Sequence, residues 1–250
     1  MSGPFDLTGR LAAVTGASRG IGAAVAVALA RAGADVVGVS TRGPGDDVAQ
    51  AVRATGRSFT SLACDLADRS AVQALGADLA GRGVDLLVAN GGTIRRTPAA
   101  EHPLADWDHV LEVDLSSQFV LAQAVGASML ERGSGRIVFT ASLLSFQGGI
   151  NVPGYTAAKH GLAGLTKALA NEWSSRGVGV NAVAPGYIAT DNTQALRDDE
   201  DRSRAILERI PAGRWGRGED IAGAVVYLCS PAAEYVHGVV LPVDGGWMGR

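Results

Sequence analysis

Tyr155 and Lys159 stand four residues apart within a stretch, Tyr155 to Arg176, whose apolar spacing reads as a helix. At that spacing both side chains leave one face and can act together. A phenol in water ionises near ~10, too high for a good base at neutral pH, and a neighbouring ammonium favours the phenolate. The pair therefore suits proton transfer to and from an oxygen atom. Ser142 lies thirteen residues before Tyr155, just after an apolar run, and its hydroxyl can hydrogen-bond a substrate oxygen where charge develops. Tyr-x-x-x-Lys alone is a common helix-surface pattern. A second motif upstream gives it weight.

That motif is Thr15-Gly16-Ala17-Ser18-Arg19-Gly20-Ile21-Gly22, placed between the apolar run Leu11 to Thr15 and a helical stretch starting near Ala23. Strand, glycine-rich turn and helix in this order make a cradle for the phosphates of a dinucleotide. One glycine permits the sharp turn, another lets the backbone approach the pyrophosphate, and a third lets the helix pack closely on the strand. The helix N-terminus adds free N–H groups and the positive end of its dipole. Gly16, Ser18, Arg19, Gly20, Ile21 and Gly22 are the candidate phosphate contacts.

The elements that must position these groups alternate along the chain. Strand-like runs are Leu11 to Thr15, Asp35 to Ser40, Ser58 to Ala63, Leu86 to Ala89, Arg136 to Thr140, Gly179 to Ala184 and Val239 to Pro242. Helical stretches are Ala23 to Ala32, Ser70 to Gly81, Trp107 to Arg132, Tyr155 to Arg176 and Glu219 to Ser230. Continuous apolar strands alternating with helices imply a parallel sheet covered on both faces. The expected fold is a single Rossmann-type, doubly wound α/β domain over residues 1–250, with a seven-stranded parallel sheet. Residues 190–212 break the pattern with a charged run, Arg197 to Arg202, read either as a solvated helical excursion or as a lid over a site at the strand ends.

Composition narrows the class. The 250 residues are 47% hydrophobic and 19% charged, with a net charge of −3 and no Lys/Arg-dense tract, which argues for a folded domain and against a nucleic-acid surface. Cys64 and Cys229 sit in apolar runs without Cys or His neighbours at ligand spacing, so buried thiols are expected rather than a metal site or a disulfide. The four histidines, His102, His109, His160 and His237, are scattered and receive no role. No secretory pattern and no uncharged run of membrane-spanning length is evident, so the cytoplasm is expected, without a membrane partner.

Thr-Gly-x-x-x-Gly-x-Gly, Ser142, Tyr155-x-x-x-Lys159 and Asp244-Gly245-Gly246 together resemble the short-chain dehydrogenases/reductases, and the resemblance runs along essentially the whole chain. It implies an NAD(P)-dependent oxidoreductase in which Tyr155 exchanges a proton with an alcohol or ketone while hydride passes to or from the nicotinamide, and Lys159 also holds the nicotinamide ribose. It implies cofactor contacts at Asp65 and Leu66 after the third strand, at Asn90 and Gly91 after the fourth, and at Pro185, Gly186, Ile188 and Thr190 around the carboxamide. It implies a homotetramer. The family usually carries Asn where this chain has Asp114. If the needed group there is a backbone carbonyl holding a water against Lys159, the reading favoured here, the change is tolerable. If it is the amide, the proton relay is in doubt.

NAD and NADP both stay open as the cofactor. An acid at the end of the second strand would grip the ribose 2′-hydroxyl of NAD, whereas a nearby Arg accommodates the 2′-phosphate of NADP. Ser40 stands there, with Arg42 two residues on and Arg19 in the cradle. Within the family, the segments Ile94-Arg95-Arg96, Leu143 to Ile150 and Arg209 to Gly216 are similar to members acting on keto-deoxy sugar acids, which implies a small-molecule substrate with a carboxylate. Arg95 or Arg96 is then the expected cationic partner and Gln147 a bond to sugar hydroxyls. The rival readings are a 3-oxoacyl-carrier-protein reductase, a general sugar or polyol dehydrogenase, and a non-catalytic dinucleotide sensor on the same fold.

Overall fold

Runs of valine, leucine and alanine that are apolar on every residue can only be buried on both faces, and they form the centre of the sheet. The computed structural model describes residues 3–250, apart from the side chain of Asn192. Met1 and Ser2 of the expected domain, and that side chain within the expected lid, lie outside the described residues. The strands are β1 (Leu11–Thr15), β2 (Asp35–Ser40), β3 (Phe59–Ala63), β4 (Leu86–Ala89), β5 (Gly135–Thr140), β6 (Val178–Pro185) and β7 (Val240–Val243). All pair in parallel, in the order β3-β2-β1-β4-β5-β6-β7. The expected seven-stranded doubly wound sheet is what the chain forms.

Successive strand residues feed opposite cores. Ala12 and Val14 of β1 face a cluster with Val25 and Leu29 of α1 (Gly20–Arg31), Val48 and Val52 of α2 (Asp46–Arg53), and Ile221, Val225 and Leu228 of α9 (Gly218–Cys229). Ala13 faces the other cluster, with Leu75 and Leu79 of α3 (Arg69–Gly81), Leu121, Val125 and Met129 of α5 (Ser117–Arg132), and Leu162, Leu169 and Trp173 of α6 (Pro153–Trp173). Each fully buried side chain of this kind contributes about 1.5–3 kcal/mol.

Two expectations are corrected. The stretch Trp107 to Arg132 is not one helix. It divides into α4 (Leu104–Leu111), a wider π turn over Glu112–Ser116, and α5. The Val113 carbonyl accepts Ser117 Oγ at 2.6 Å and Gln118 Nε2 at 2.7 Å, side-chain bonds that compete with the regular ladder and favour the extra residue in the turn. Helix α2 is the second, an element absent from the sequence reading. After β6 come a short turn Asp191–Thr193, α7 (Gln194–Asp198) and α8 (Glu200–Arg209), and α8 buries none of its residues.

Among the described residues no helix is long and apolar enough to cross a membrane. Cys64 and Cys229 are free and buried, and burial pushes the Cys229 thiol up to about 12.

Asp220, in the first turn of α9, accepts both Arg214 guanidinium nitrogens at 2.7 and 2.8 Å and the Arg217 N–H at 2.7 Å. These bonds, the Arg214 pair first, hold its carboxyl at about 2 against an ordinary 3.8. A depressed folded value stabilises above the ordinary one and is lost as pH falls through about 2. With the side chain one-third exposed, solvent screening leaves about 1 kcal/mol. Asp220→Asn is expected to lower stability by that amount at neutral pH and to flatten the loss of stability between 3.8 and about 2, read from urea unfolding across a pH series.

Candidate active site

The sheet order reverses between β1 and β4, and in such sheets a crevice opens at the carboxyl ends of the strands on either side. Here the crevice is a cleft of about 1230 Å³. Its floor is clasped by Thr15, whose Oγ1 accepts the N–H groups of Asn90 at 2.9 Å and Gly91 at 2.8 Å. Asn90 returns its Nδ2 to the Thr15 carbonyl at 3.0 Å and accepts Thr140 Oγ1 at 3.2 Å, so one amide ties the ends of β1, β4 and β5.

The glycine turn fits a dinucleotide. Gly16 has φ +66°, and a Cβ there would stand 2.9 Å from both Asn90 Nδ2 and Gly91 Cα. A Cβ on Gly22 would lie 2.2 Å from the Gly16 carbonyl oxygen, so helix and turn touch backbone to backbone. No side chain caps the first turn of α1, whose N–H groups are therefore available to phosphate oxygens. Gly16, Ser18, Arg19, Gly20, Ile21 and Gly22 all line this end of the cleft, with Ser40, Arg42, Asp65 and Leu66 beyond them. Asn90, Gly91, Pro185, Gly186, Ile188 and Thr190 line the middle. Arg19 forms an ion pair across the rim with Asp191 at 3.2 Å. No carboxylate stands at Ser40 to repel a 2′-phosphate.

Ser142, Tyr155, Lys159 and Asp114 meet on one wall. Lys159 is almost wholly buried, and its Nζ donates to the Thr140 carbonyl at 2.9 Å, lies 3.4 Å from Asp114 Oδ2 and sits 5.3 Å from the Tyr155 ring centre. Asp114 is fully buried, brought there by the π turn, and its Oδ1 accepts the Thr93 N–H at 2.7 Å. Burial pushes the Asp114 carboxyl up by more than Lys159, the Thr93 N–H and His109 pull it down. Burial pulls Lys159 down, but Asp114 and Tyr155 raise it by more, so it ends above the ordinary lysine value and the cation is the form held.

Ser142 caps the short turn Leu143–Ser145, its Oγ accepting the Leu144 N–H at 3.1 Å. Ser145 Oγ accepts the Ser142 N–H at 3.3 Å and donates to the Lys159 carbonyl at 2.7 Å, locking the serine turn to α6.

The substrate residues divide. Arg96 and Gln147 line the cleft. Arg95 does not, and is corrected: its guanidinium turns to Asp106 of α4 at 3.5 Å. Sequence reasoning missed Thr15, Thr140 and Ser145, which act through backbone groups, and also His109, Tyr187, Arg202, Arg209 and Trp247, which line the cleft. The spacing of the last four along the chain gives no sign of their meeting. Among the described residues no group of three or more His, Cys, Asp or Glu stands together as a metal site.

The family model described as Enoyl-(Acyl carrier protein) reductase matches residues 16–248. The chain is a short-chain dehydrogenase/reductase. As such it is an NAD(P)-dependent oxidoreductase moving hydride between the nicotinamide and a secondary alcohol or ketone. It is 54% identical over 98% of its length, and 98% of the relative's, to 2-dehydro-3-deoxy-D-gluconate 5-dehydrogenase of Pseudoalteromonas atlantica. A crystal structure from Agrobacterium tumefaciens with bound NADP superposes with TM-score 0.95 at 54% identity, covering 99% of both chains. A gluconate 5-dehydrogenase from Burkholderia cenocepacia, in complex with NADP and tartrate, has TM-score 0.92 at 35% identity, covering 99% of this chain and 98% of that one.

Two substitutions probe this arrangement. Thr15→Val keeps the side-chain shape but leaves two N–H groups without their acceptor, and is expected to cost about 2–4 kcal/mol of stability, read by denaturant unfolding. Asp114→Asn can still accept the Thr93 N–H, so turnover should stay within about tenfold, ~1.4 kcal/mol of barrier. Loss of the charge that raises Lys159 should move the alkaline limb of the pH–rate profile to lower pH. A larger loss of rate would mean that the carboxylate itself is required.

Proposed function

We propose that the protein interconverts a keto-deoxy sugar acid of the 2-dehydro-3-deoxy-D-gluconate kind and its oxidised or reduced partner. The observation that carries this reading is the buried Lys159 ammonium, pinned between the Thr140 carbonyl and Asp114 and set against Tyr155, in the same cleft as the uncapped end of α1. The name of the Pseudoalteromonas relative, and the tartrate in the Burkholderia complex, support an acidic polyol-like substrate.

In the reduction direction Tyr155 gives its phenolic proton to the carbonyl oxygen, and in oxidation it takes the alcohol proton back. Ser142 donates a hydrogen bond to that same oxygen, where negative charge gathers. Lys159 stabilises the phenolate electrostatically and holds the nicotinamide ribose, while Asp114 and Thr140 keep its Nζ in place. The bound nicotinamide supplies or receives the hydride. Ser40, Arg42 and Arg19 favour acceptance of the 2′-phosphate, with NAD as the alternative cofactor. Arg96 and Gln147 address the substrate's polar groups.

Residues 190–212 serve as a lid, a role supported by α8, which buries none of its own residues and carries two arginines into the cleft. The protein works as a homotetramer in the cytoplasm. Exposed Leu104 on α4 and Phe119 on α5 support the assembly, and the free thiols of Cys64 and Cys229 suit a reducing compartment. Light scattering reads the assembly.

The decisive experiment follows NADH and NADPH absorbance across a panel of sugar acids, neutral polyols and hydroxyacyl thioesters. The highest kcat/KM is expected with a sugar acid, and a faster neutral polyol or thioester would overturn the substrate assignment. Tyr155→Phe should abolish hydride transfer while leaving NADP binding within a few-fold. Unchanged turnover in that variant would remove Tyr155 from the chemistry.

A further inference from the structure

Three carboxylates line the cleft among the described residues: Asp65, Asp114 and Asp191. Asp65 lies at the dinucleotide end, Asp114 faces Lys159 and Asp191 faces Arg19. Of the other cations that line the cleft, Arg202 and Arg209 belong to α8, and neither stands within ion-pair distance of a carboxylate among the described residues. The acids near them in sequence are engaged or uncommitted elsewhere: Asp201 pairs with Arg204, and no ion pair joins Glu200 or Glu208 to either arginine. This end of the cleft therefore carries surplus positive charge.

Arg209 is also positioned. Its guanidinium carbon lies 3.9 Å from the centre of the Trp247 ring. Trp247 is buried, and the turn carrying it is fixed by Asp244, whose carboxylate accepts the Gly246 N–H at 2.9 Å and the Met248 N–H at 2.8 Å. Tyr187 closes the platform, 4.7 Å from Trp247 and edge-on to Trp215 at 5.7 Å. Trp247 packs with Ile210 and with Leu143, the residue after Ser142, so the platform adjoins the serine turn rather than the dinucleotide cradle. A guanidinium stacked through its face keeps its N–H donors at the edge, in the geometry that a carboxylate accepts in pairs.

We propose that Arg209, laid on Trp247, receives the carboxylate of the substrate, with Arg202 as a second cation and Trp247 as the positioning residue. The sugar-acid reading supplies only the name of the substrate; the carboxylate site itself stands on the stacked arginine. The lid then contributes specificity as well as cover, because α8 brings the anion receptor to a substrate already held at Ser142 and Tyr155.

The test is calorimetric titration of the NADP-loaded protein with D-gluconate and with D-glucitol, which share a six-carbon polyol chain and differ at one end in carboxylate against hydroxymethyl. The wild type is expected to prefer gluconate. Arg209→Ala should weaken gluconate at least about tenfold and leave glucitol unchanged, and Arg209→Lys should restore part of the loss. Trp247→Phe, which keeps an aromatic face, should retain the preference that Trp247→Leu reduces, with thermal unfolding read alongside to separate positioning from stability. Absence of a gluconate preference in the wild type, or equal effects of Arg209→Ala on both ligands, would overturn the proposal. Sugar-acid turnover is measured in parallel: a gluconate preference that depends on Arg209 without such turnover would retain the carboxylate site and reject the substrate assignment alone.

Discussion

A buried ammonium is the constraint around which this molecule is arranged. Taking Lys159 out of water is costly unless its charge meets acceptors in good geometry, and the Thr140 carbonyl and the Asp114 carboxylate are those acceptors. Each comes from a different element. Thr140 closes β5, Asp114 sits in the π turn between α4 and α5, and Lys159 rides on α6. The pair cannot form unless the sheet, the broken helix and the long helix are all in register. Breaking it from one side would leave the other charge buried, so the chemistry and the packing of this region stand together.

The π turn explains how a carboxylate reaches so enclosed a position. A regular helix through Val113-Asp114-Leu115 would place these residues one step differently around the axis, and the extra residue rotates Asp114 inward to Thr93 and Lys159. Nothing in the spacing of Trp107 to Arg132 announces the break, since the apolar positions on either side keep helical order. Its cause lies in Ser117 and Gln118 bonding back to the Val113 carbonyl, and in a lysine far along the chain. Tertiary contacts decide it.

By contrast, the strands were legible because residues buried on both faces leave an uninterrupted apolar run, and all seven fall within one residue of expectation at each end. The cradle and the Tyr155–Lys159 pair were legible for the same kind of reason: their function depends on local spacing along one turn or one helix. Helix α2 carries its own signals, Asp46 and Asp47 in its first turn and Val48 and Val52 one turn apart, but its eight residues give too short a stretch for the apolar spacing to stand out. Arg95 and Arg96 are adjacent in sequence, yet one joins α4 through Asp106 and the other lines the cleft, a choice made by neighbours that no pattern encodes. Arg209 and Trp247 meet across a long intervening segment, and only the folded chain puts them together.

Helix α8 contributes no residue to the buried interior, and its fastening is through Ile206 and Ile210 to Leu143 and Trp247. Such an element is nearly exempt from the demands of stability. Its outward positions can change without disturbing either face of the sheet, so new ligand preferences can arise there while the machinery of hydride and proton transfer stays untouched. The division separates what the scaffold must conserve to fold from what it can vary to acquire a different diet.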